Sequence, residues 1–301
     1  MKQHLSAVCV AALALGAAAE PKDIFWIGNS HTRWSAATAT TPNGGSVPGV
    51  ADLVGKLAVA AGYDAPNHYW DVINGEFISN RVGRAASLAT NSVPAGVTID
   101  TLVLQGHSTE SLTWLGGNAA TFGANTAAIE SAFRNMNNSA LETVLYQTWA
   151  RERGHGDYQA NGGPVPSIQA WHDANRASYT DAGAGINANG GSAEVSRVGD
   201  AFALADWDQQ YYVGDDNHFS REGGVLASVV LFNSIYNDDV SRLDINLNEF
   251  DDEIEITLRQ LGVSAAEWEA ITALATQAAI PAPGVASVLV LGGALAARRR
   301  R

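Results

Sequence analysis

Apolar residues come in short bursts separated by polar, glycine-rich turns, and the bursts alternate between two periods. Asp23-Ile24-Phe25-Trp26-Ile27 is an apolar run that stops at Gly28, the pattern of a buried strand feeding a loop. Residues 50–61 carry apolar positions at helical spacing, and Gly62 supplies a stop. Further strands are predicted over residues 68–73, ending at Asn74-Gly75, over 101–104, ending at Gln105-Gly106-His107-Ser108, over 143–147 and over 194–198. Helices are predicted over 125–136 and 221–236. Strands alternating with helices predict an α/β fold: a three-layer sandwich with a mostly parallel, flavodoxin-like sheet covered on both faces.

Two stretches fall outside this alternation. Residues 152–191 are rich in Gly, Asn and Ala, and read as an insertion over one end of the sheet, with a short helix at Trp171-His172. Residues 253–279 place Leu258, Leu261, Trp268, Ile271 and Leu274 at near-helical intervals, broken at Gly262-Val263-Ser264. Ser264 with Glu267 three residues on forms a capping box, so a helix restarts there. This predicts an appended C-terminal helical hairpin or stalk. Its acidic start, Asp251-Asp252-Glu253, has no accompanying calcium-loop glycine pattern and reads as a solvated helix terminus.

The two ends carry their own patterns. Lys2, an apolar run to Ala19 and the small residues Ala17-Ala18-Ala19 make a secretory signal peptide over residues 1–19, which predicts an exported protein. The single cysteine, Cys9, lies inside that signal, so disulfides, zinc-thiolate sites and a cysteine nucleophile are excluded from the mature body. At the other end, Pro281-Ala282-Pro283, an apolar stretch over 284–297 and four arginines follow in order. The stretch is short of the ~20 residues of a spanning helix, although a basic cluster holds such tails at the cytoplasmic face. The tail resembles the PEP-CTERM sorting signal of bacteria that make extracellular polysaccharide, with Ala282 in place of the usual glutamate. The resemblance implies handling by a membrane sorting protease and a secreted or surface-associated product; a plain membrane anchor is the alternative. The chain therefore divides into a signal (1–19), a body (20–240), a helical extension (241–280) and a tail (281–301).

Charge narrows the partners. Setting aside Lys2 and the four terminal arginines, 13 of the 18 basic residues remain against 31 acidic ones. A body this anionic has no basic stripe for phosphate backbones, so nucleic acid is excluded as a partner.

Reactive groups in open parallel sheets collect at the carboxyl ends of the strands. Four polar segments are expected on that edge: Gly28-Asn29-Ser30-His31, Asn74-Gly75, Gln105-Gly106-His107 and Asp215-Asp216-Asn217-His218. A serine directly after a buried strand can present its hydroxyl among free backbone N–H groups. Gly-Asn-Ser also makes ordinary turns, so Ser30 gains its weight from Asp215 and His218. Three residues apart before a helix, they can aim an imidazole at Ser30 while the carboxylate orients its other nitrogen.

These segments resemble the first and last blocks of the SGNH, or GDSL-type, hydrolases. Phe219-Ser220-Arg221-Glu222-Gly223 continues the likeness, which spans about residues 23–236. The resemblance implies an ester hydrolase with Ser30 as nucleophile, His218 as base and Asp215 as its orienter, working without a cofactor or metal. Asn29 replaces the aspartate usual in the family and is found in one branch of it. The resemblance also implies an oxyanion hole built from the N–H of Ser30, the N–H of a second-block glycine and a third-block asparagine. Gly75 is the first candidate for the glycine and Gly83 the alternative. The third block departs from the family pattern, because His107 stands where the asparagine should be. His107 is expected as donor there, with Gln105 and Trp149 expected against the substrate; Trp149 and Trp171 can equally be core. The remaining histidines, His68, His155 and His172, are expected to be structural or to lie on the surface. The substrate expected from these signals is an O-acetyl group on a polysaccharide, with a lipid or small-molecule ester next. The rival is a surface carbohydrate-binding protein that kept the fold and lost catalysis.

Overall fold

The computed structural model describes residues 21–34, 49–248 and 252–279. The signal and tail read from the sequence lie outside them. Five strands are present: β1 (Asp23–Gly28), β2 (Asn67–Val72), β3 (Thr101–Leu104), β4 (Glu142–Tyr146) and β5 (Ser192–Ser196). They form one sheet in the order β2-β1-β3-β4-β5, every neighbouring pair parallel. The helices are α1 (Ser30–Arg33), α2 (Gly49–Ala60), α3 (Ser79–Val82), α4 (Ala85–Asn91), α5 (Ala119–Met136), α6 (Ile168–Ala188), α7 (Val198–Leu204), α8 (Arg221–Tyr236), α9 (Glu253–Gln260) and α10 (Ala265–Ala279).

The unbroken apolar character of β1 follows from burial on both faces. Ile24 and Trp26 join a core with α2 and α8, while Phe25 and Ile27 join a second core with α4, α5 and α6. β3 divides in the same way, Val103 to the first core and Leu102 and Leu104 to the second. This is the α/β three-layer sandwich expected from the alternation, with a flavodoxin-like strand order. The chain reverses direction across the sheet between β1 and β3, and the crevice at their carboxyl ends is where this class of sheet binds ligands.

Two expectations are corrected. Residues 152–191 are not an insertion with a short helix, because α6 runs for 21 residues and is the crossover between β4 and β5. Its buried residues are Trp171, His172, Asn175, Ser178, Tyr179, Ala182, Gly183 and Ile186. Five of these eight are small or polar, so the helical period is present in position but faint in hydropathy. The C-terminal helices are not a stalk. α10 packs on α8 and α7, α9 packs on α2, and Leu258, Trp268, Ile271 and Ala275 belong to the first core. No described helix is long and apolar enough to cross a membrane.

Candidate active site

β1 ends at Gly28 because nothing larger fits. A Cβ there would lie 2.3 Å from Thr32 Oγ1 and 2.9 Å from Gln105 Oε1. Asn29 follows, buried, and its side chain works in both directions: Oδ1 accepts the N–H of His31 (3.1 Å) and Nδ2 donates to the carbonyl of Glu76 (3.2 Å). An aspartate could accept the first bond but not donate the second, which accounts for the amide at this position. Asn29→Asp is expected to destabilise the protein by about 1 kcal/mol, the cost of stranding a part-buried acceptor and facing it with a second oxygen. Urea denaturation at pH 7 measures this; a variant as stable as the parent would remove Asn29 from the frame of the site.

Ser30 is the first residue of α1, so its N–H has no partner within the helix. Its Oγ lies 2.7 Å from His218 Nε2, and His218 Nδ1 lies 2.6 Å from Asp215 Oδ2. The carboxylate can only accept, which assigns the imidazole proton to Nδ1 and leaves Nε2 to accept from the serine hydroxyl. Asp215 Oδ1 also accepts the N–H groups of Asn217 (3.0 Å) and His218 (2.9 Å). Burial alone would raise the Asp215 carboxyl; the bonds from His218 and Asn217 outweigh it and hold its pKa at about 2. Asp215 is thus an anion throughout the neutral range.

The loop carrying this pair is pinned from several sides. Val213 N–H donates to the carbonyl of His218 (2.9 Å), Asp216 turns with a left-handed φ of 58°, and Glu152 N–H donates to the carbonyl of Asp216 (2.8 Å). Trp149 Nε1 donates to the carbonyl of Asn217 (3.0 Å). The Trp149 ring is buried, stacked on Phe202 at 4.6 Å and on His31 at 4.5 Å. It supports the site from below and is not the substrate wall expected from the sequence. His31 meets His218 edge-on at 5.2 Å. Burial first, then the nearby His218, His107 and Arg151, holds the His31 pKa well below the ordinary value, so its ring is neutral.

Gln105 is also corrected. Its side chain is 1% exposed and turned inward. Oε1 accepts the Asn29 N–H (2.9 Å) and the Thr32 hydroxyl (3.0 Å), and Nε2 donates to the Gly106 carbonyl. It ties the third loop to the first and has no face toward a substrate. His107 does face the crevice. Its Nδ1 accepts the N–H of Thr109 (3.3 Å) and bonds the Thr109 hydroxyl (2.9 Å), which places the ring proton on Nε2. Phe77 stacks on the ring at 4.4 Å. Burial, then Arg151 and His218, lowers the His107 pKa and keeps it neutral.

Gly75 takes a left-handed φ of 70°, and among the described residues no acceptor is paired with its N–H. Gly83 ends α3 and lines neither cavity beside Ser30. One of these cavities, about 420 Å³, is lined by Asn29, Ser30, His31, Asn74, Gly75, His107 and His218 among others. The other, about 390 Å³, lies between Trp34, Val213 and Phe219 and includes Arg33, Ser220 and Arg221. Ser30, Asn74 and His218 are common to both.

Glu110 was not singled out by the sequence. Buried, it accepts the N–H groups of Ile78 (2.9 Å), Ser79 (3.0 Å) and His107 (3.3 Å), and so locks the second loop to the third. Its spacing from His107 was the only signal, and spacing does not say that a carboxylate points inward. Among the described residues no cluster of three or more His, Cys, Asp or Glu side chains is placed to hold a metal ion.

No family model matches the chain, and no curated protein matches its sequence. Solved structures do resemble it. A DUF4886 family protein from Bacteroides uniformis superposes with a TM-score of 0.60 at 13% identity, over 86% of this chain and 95% of that one. A candidate SGNH hydrolase from Slackia heliotrinireducens matches with a TM-score of 0.52 at 17% identity, over 71% and 99%. The lipase/acylhydrolase from Enterococcus faecalis gives 0.51 at 16%, over 72% and 96%. At these identities the likeness is one of fold, and the fold this chain shares with them is the five-stranded parallel sandwich found in SGNH-type hydrolases.

Proposed function

We propose that the protein is an exported serine ester hydrolase acting through an acyl-enzyme, with O-acetyl groups on carbohydrate as its substrate. The observation that carries the reading is the continuous hydrogen-bonded line Asp215–His218–Ser30, opening on two cavities at the carboxyl edge of the sheet. His218 Nε2 takes the proton of Ser30 as Oγ bonds to the ester carbonyl carbon, and the carbonyl electrons move onto its oxygen. Asp215 stabilises the imidazolium, which then gives its proton to the leaving alcohol as the tetrahedral intermediate collapses. Water, deprotonated by His218, hydrolyses the acyl-serine.

The oxyanion would be met by the N–H groups of Ser30 and Gly75 and by Nε2–H of His107. A neutral ring with its other nitrogen tied to Thr109 is a fixed donor, as an oxyanion hole requires. The side chains of His218 and Asp215 are 38% and 50% exposed, so the site lies open enough for an ester carried on a polymer. The carbohydrate part of the reading rests on the two ends of the chain, with their export and sorting patterns. The test is covalent labelling. A fluorophosphonate should add to the purified protein at Ser30, located by peptide mass spectrometry, and acetate should be released from acetylated glycans. A folded protein that neither labels nor hydrolyses p-nitrophenyl acetate would point instead to a binding protein.

A further inference from the structure

The body of the chain carries 13 lysines and arginines, all of them described. With acids in more than twofold excess, a basic side chain on this surface readily finds a carboxylate. Ten of the 13 do: Lys22, Lys56 and eight arginines sit within 4.0 Å of an Asp or Glu oxygen. Arg259 is engaged as well, donating to the Leu247 carbonyl among other interactions. Among the described residues that leaves Arg33 and Arg221 without a carboxylate, and both line the same cavity, the one between Trp34, Val213 and Phe219 that opens on Ser30 and His218.

Their surroundings sharpen the point. No acidic residue lines that cavity among the described residues, and the chain from Ser35 to Pro48, next to Arg33 in sequence, contains no Asp or Glu. Each guanidinium is held by a backbone carbonyl: Arg33 Nη2 donates to Val72 O, and Arg221 Nη1 to Leu261 O at 3.4 Å. A guanidinium has five N–H donors, so each retains donors for another acceptor. A protein with a formal charge of −13 repels anions at long range, and two cations with no carboxylate partner among the described residues, beside Ser30, oppose that repulsion where an ester would sit.

We propose that this cavity is a subsite for a carboxylate, and that the preferred substrate is an ester bearing a carboxylate beside an apolar or ring portion that lies against Trp34 and Phe219. On the carbohydrate reading, this is an acetylated sugar polymer with acidic residues. The inference rests on the serine hydrolase reading for its kinetic form, and its binding form stands apart from it.

Matched ester pairs test it and locate the charge: phenyl acetate against 3-acetoxybenzoate puts the carboxylate on the alcohol, and p-nitrophenyl butyrate against mono-p-nitrophenyl glutarate puts it on the acyl group. In one arm the ratio of kcat/KM, anionic over neutral and corrected for spontaneous hydrolysis, is expected to fall about tenfold in Arg33→Gln and in Arg221→Gln, the size of a lost charge-assisted hydrogen bond. The same ratio should fall in the parent protein as salt is raised from 0.05 to 0.5 M. Ratios unchanged in both variants and both arms overturn the subsite. Binding of 3-acetoxybenzoate to Ser30→Ala, followed by NMR, is a separate readout in which Kd should rise about tenfold on adding either arginine substitution. A protein that hydrolyses nothing yet shows this Kd change refutes the hydrolase reading and keeps the subsite; one that hydrolyses esters but shows neither charge effect does the reverse. Since Arg33 also holds the end of β2, thermal melts accompany each variant, and Arg221→Gln alone suffices if Arg33→Gln fails to fold.

Discussion

Alanine at Ser30 or at His218 is expected to lower kcat for ester hydrolysis by about 10⁶-fold, and the double variant is expected to be no worse than either single one. The reason is that neither group acts alone. On the proposed mechanism, the 2.7 Å contact between Oγ and Nε2 is the path by which Ser30 loses its proton, and removing either end removes the path. Both positions lie at the rim of the crevice and not in the core, so circular dichroism and melting temperature should stay close to those of the parent. Steady-state kinetics with p-nitrophenyl acetate on the four proteins settles the matter. Additive losses, with the double variant far below both singles, would mean that Ser30 and His218 contribute independently and that the observed contact is not the catalytic one.

The largest effect on stability is expected at Trp149. Trp149→Ala should cost about 3–5 kcal/mol, because it removes a fully buried indole and leaves a cavity between Phe202 and His31 that the sheet edge cannot collapse to fill. Chemical denaturation reads this directly. Trp149→Phe separates packing from positioning. It keeps an aromatic ring against Phe202 but loses the bond from Nε1 to the Asn217 carbonyl, one of the restraints on the loop that holds Asp215 and His218. That variant should remain folded and show a lower kcat at nearly unchanged KM. A raised KM with full stability would return Trp149 to the substrate wall.

Asn29 shows how one residue can be legible in type and opaque in reason. Its place directly after β1 marks it as part of the first loop, yet the need for an amide appears only when the Glu76 carbonyl, 47 residues away, is found beside Nδ2. Gln105 and Trp149 are harder still. Both lie just past strand ends, where a side chain can face the crevice or the core, and strand periodicity ends at that boundary. Gln105 turns inward because the Asn29 N–H and the Thr32 hydroxyl need an acceptor; Trp149 does so because Phe202 and His31 close over it.

What the amino-acid order determined by itself was the layering and the edge. Continuous apolar runs make strands buried on both faces, helices between them make the sheet parallel, and a parallel sheet gathers the loops after β1, β2 and β3 at one rim. Ser30 and the Asp215–His218 pair could be placed on that rim because chain order and turn residues are local properties. Only the tertiary structure decided which rim residues face the crevice, that α6 is a crossover, that α9 and α10 complete a core, and that two arginines meet no acid among the described residues. Each of these depends on what long-range packing brings within a few ångströms, and hydrogen bonds and ion pairs are decided at that distance.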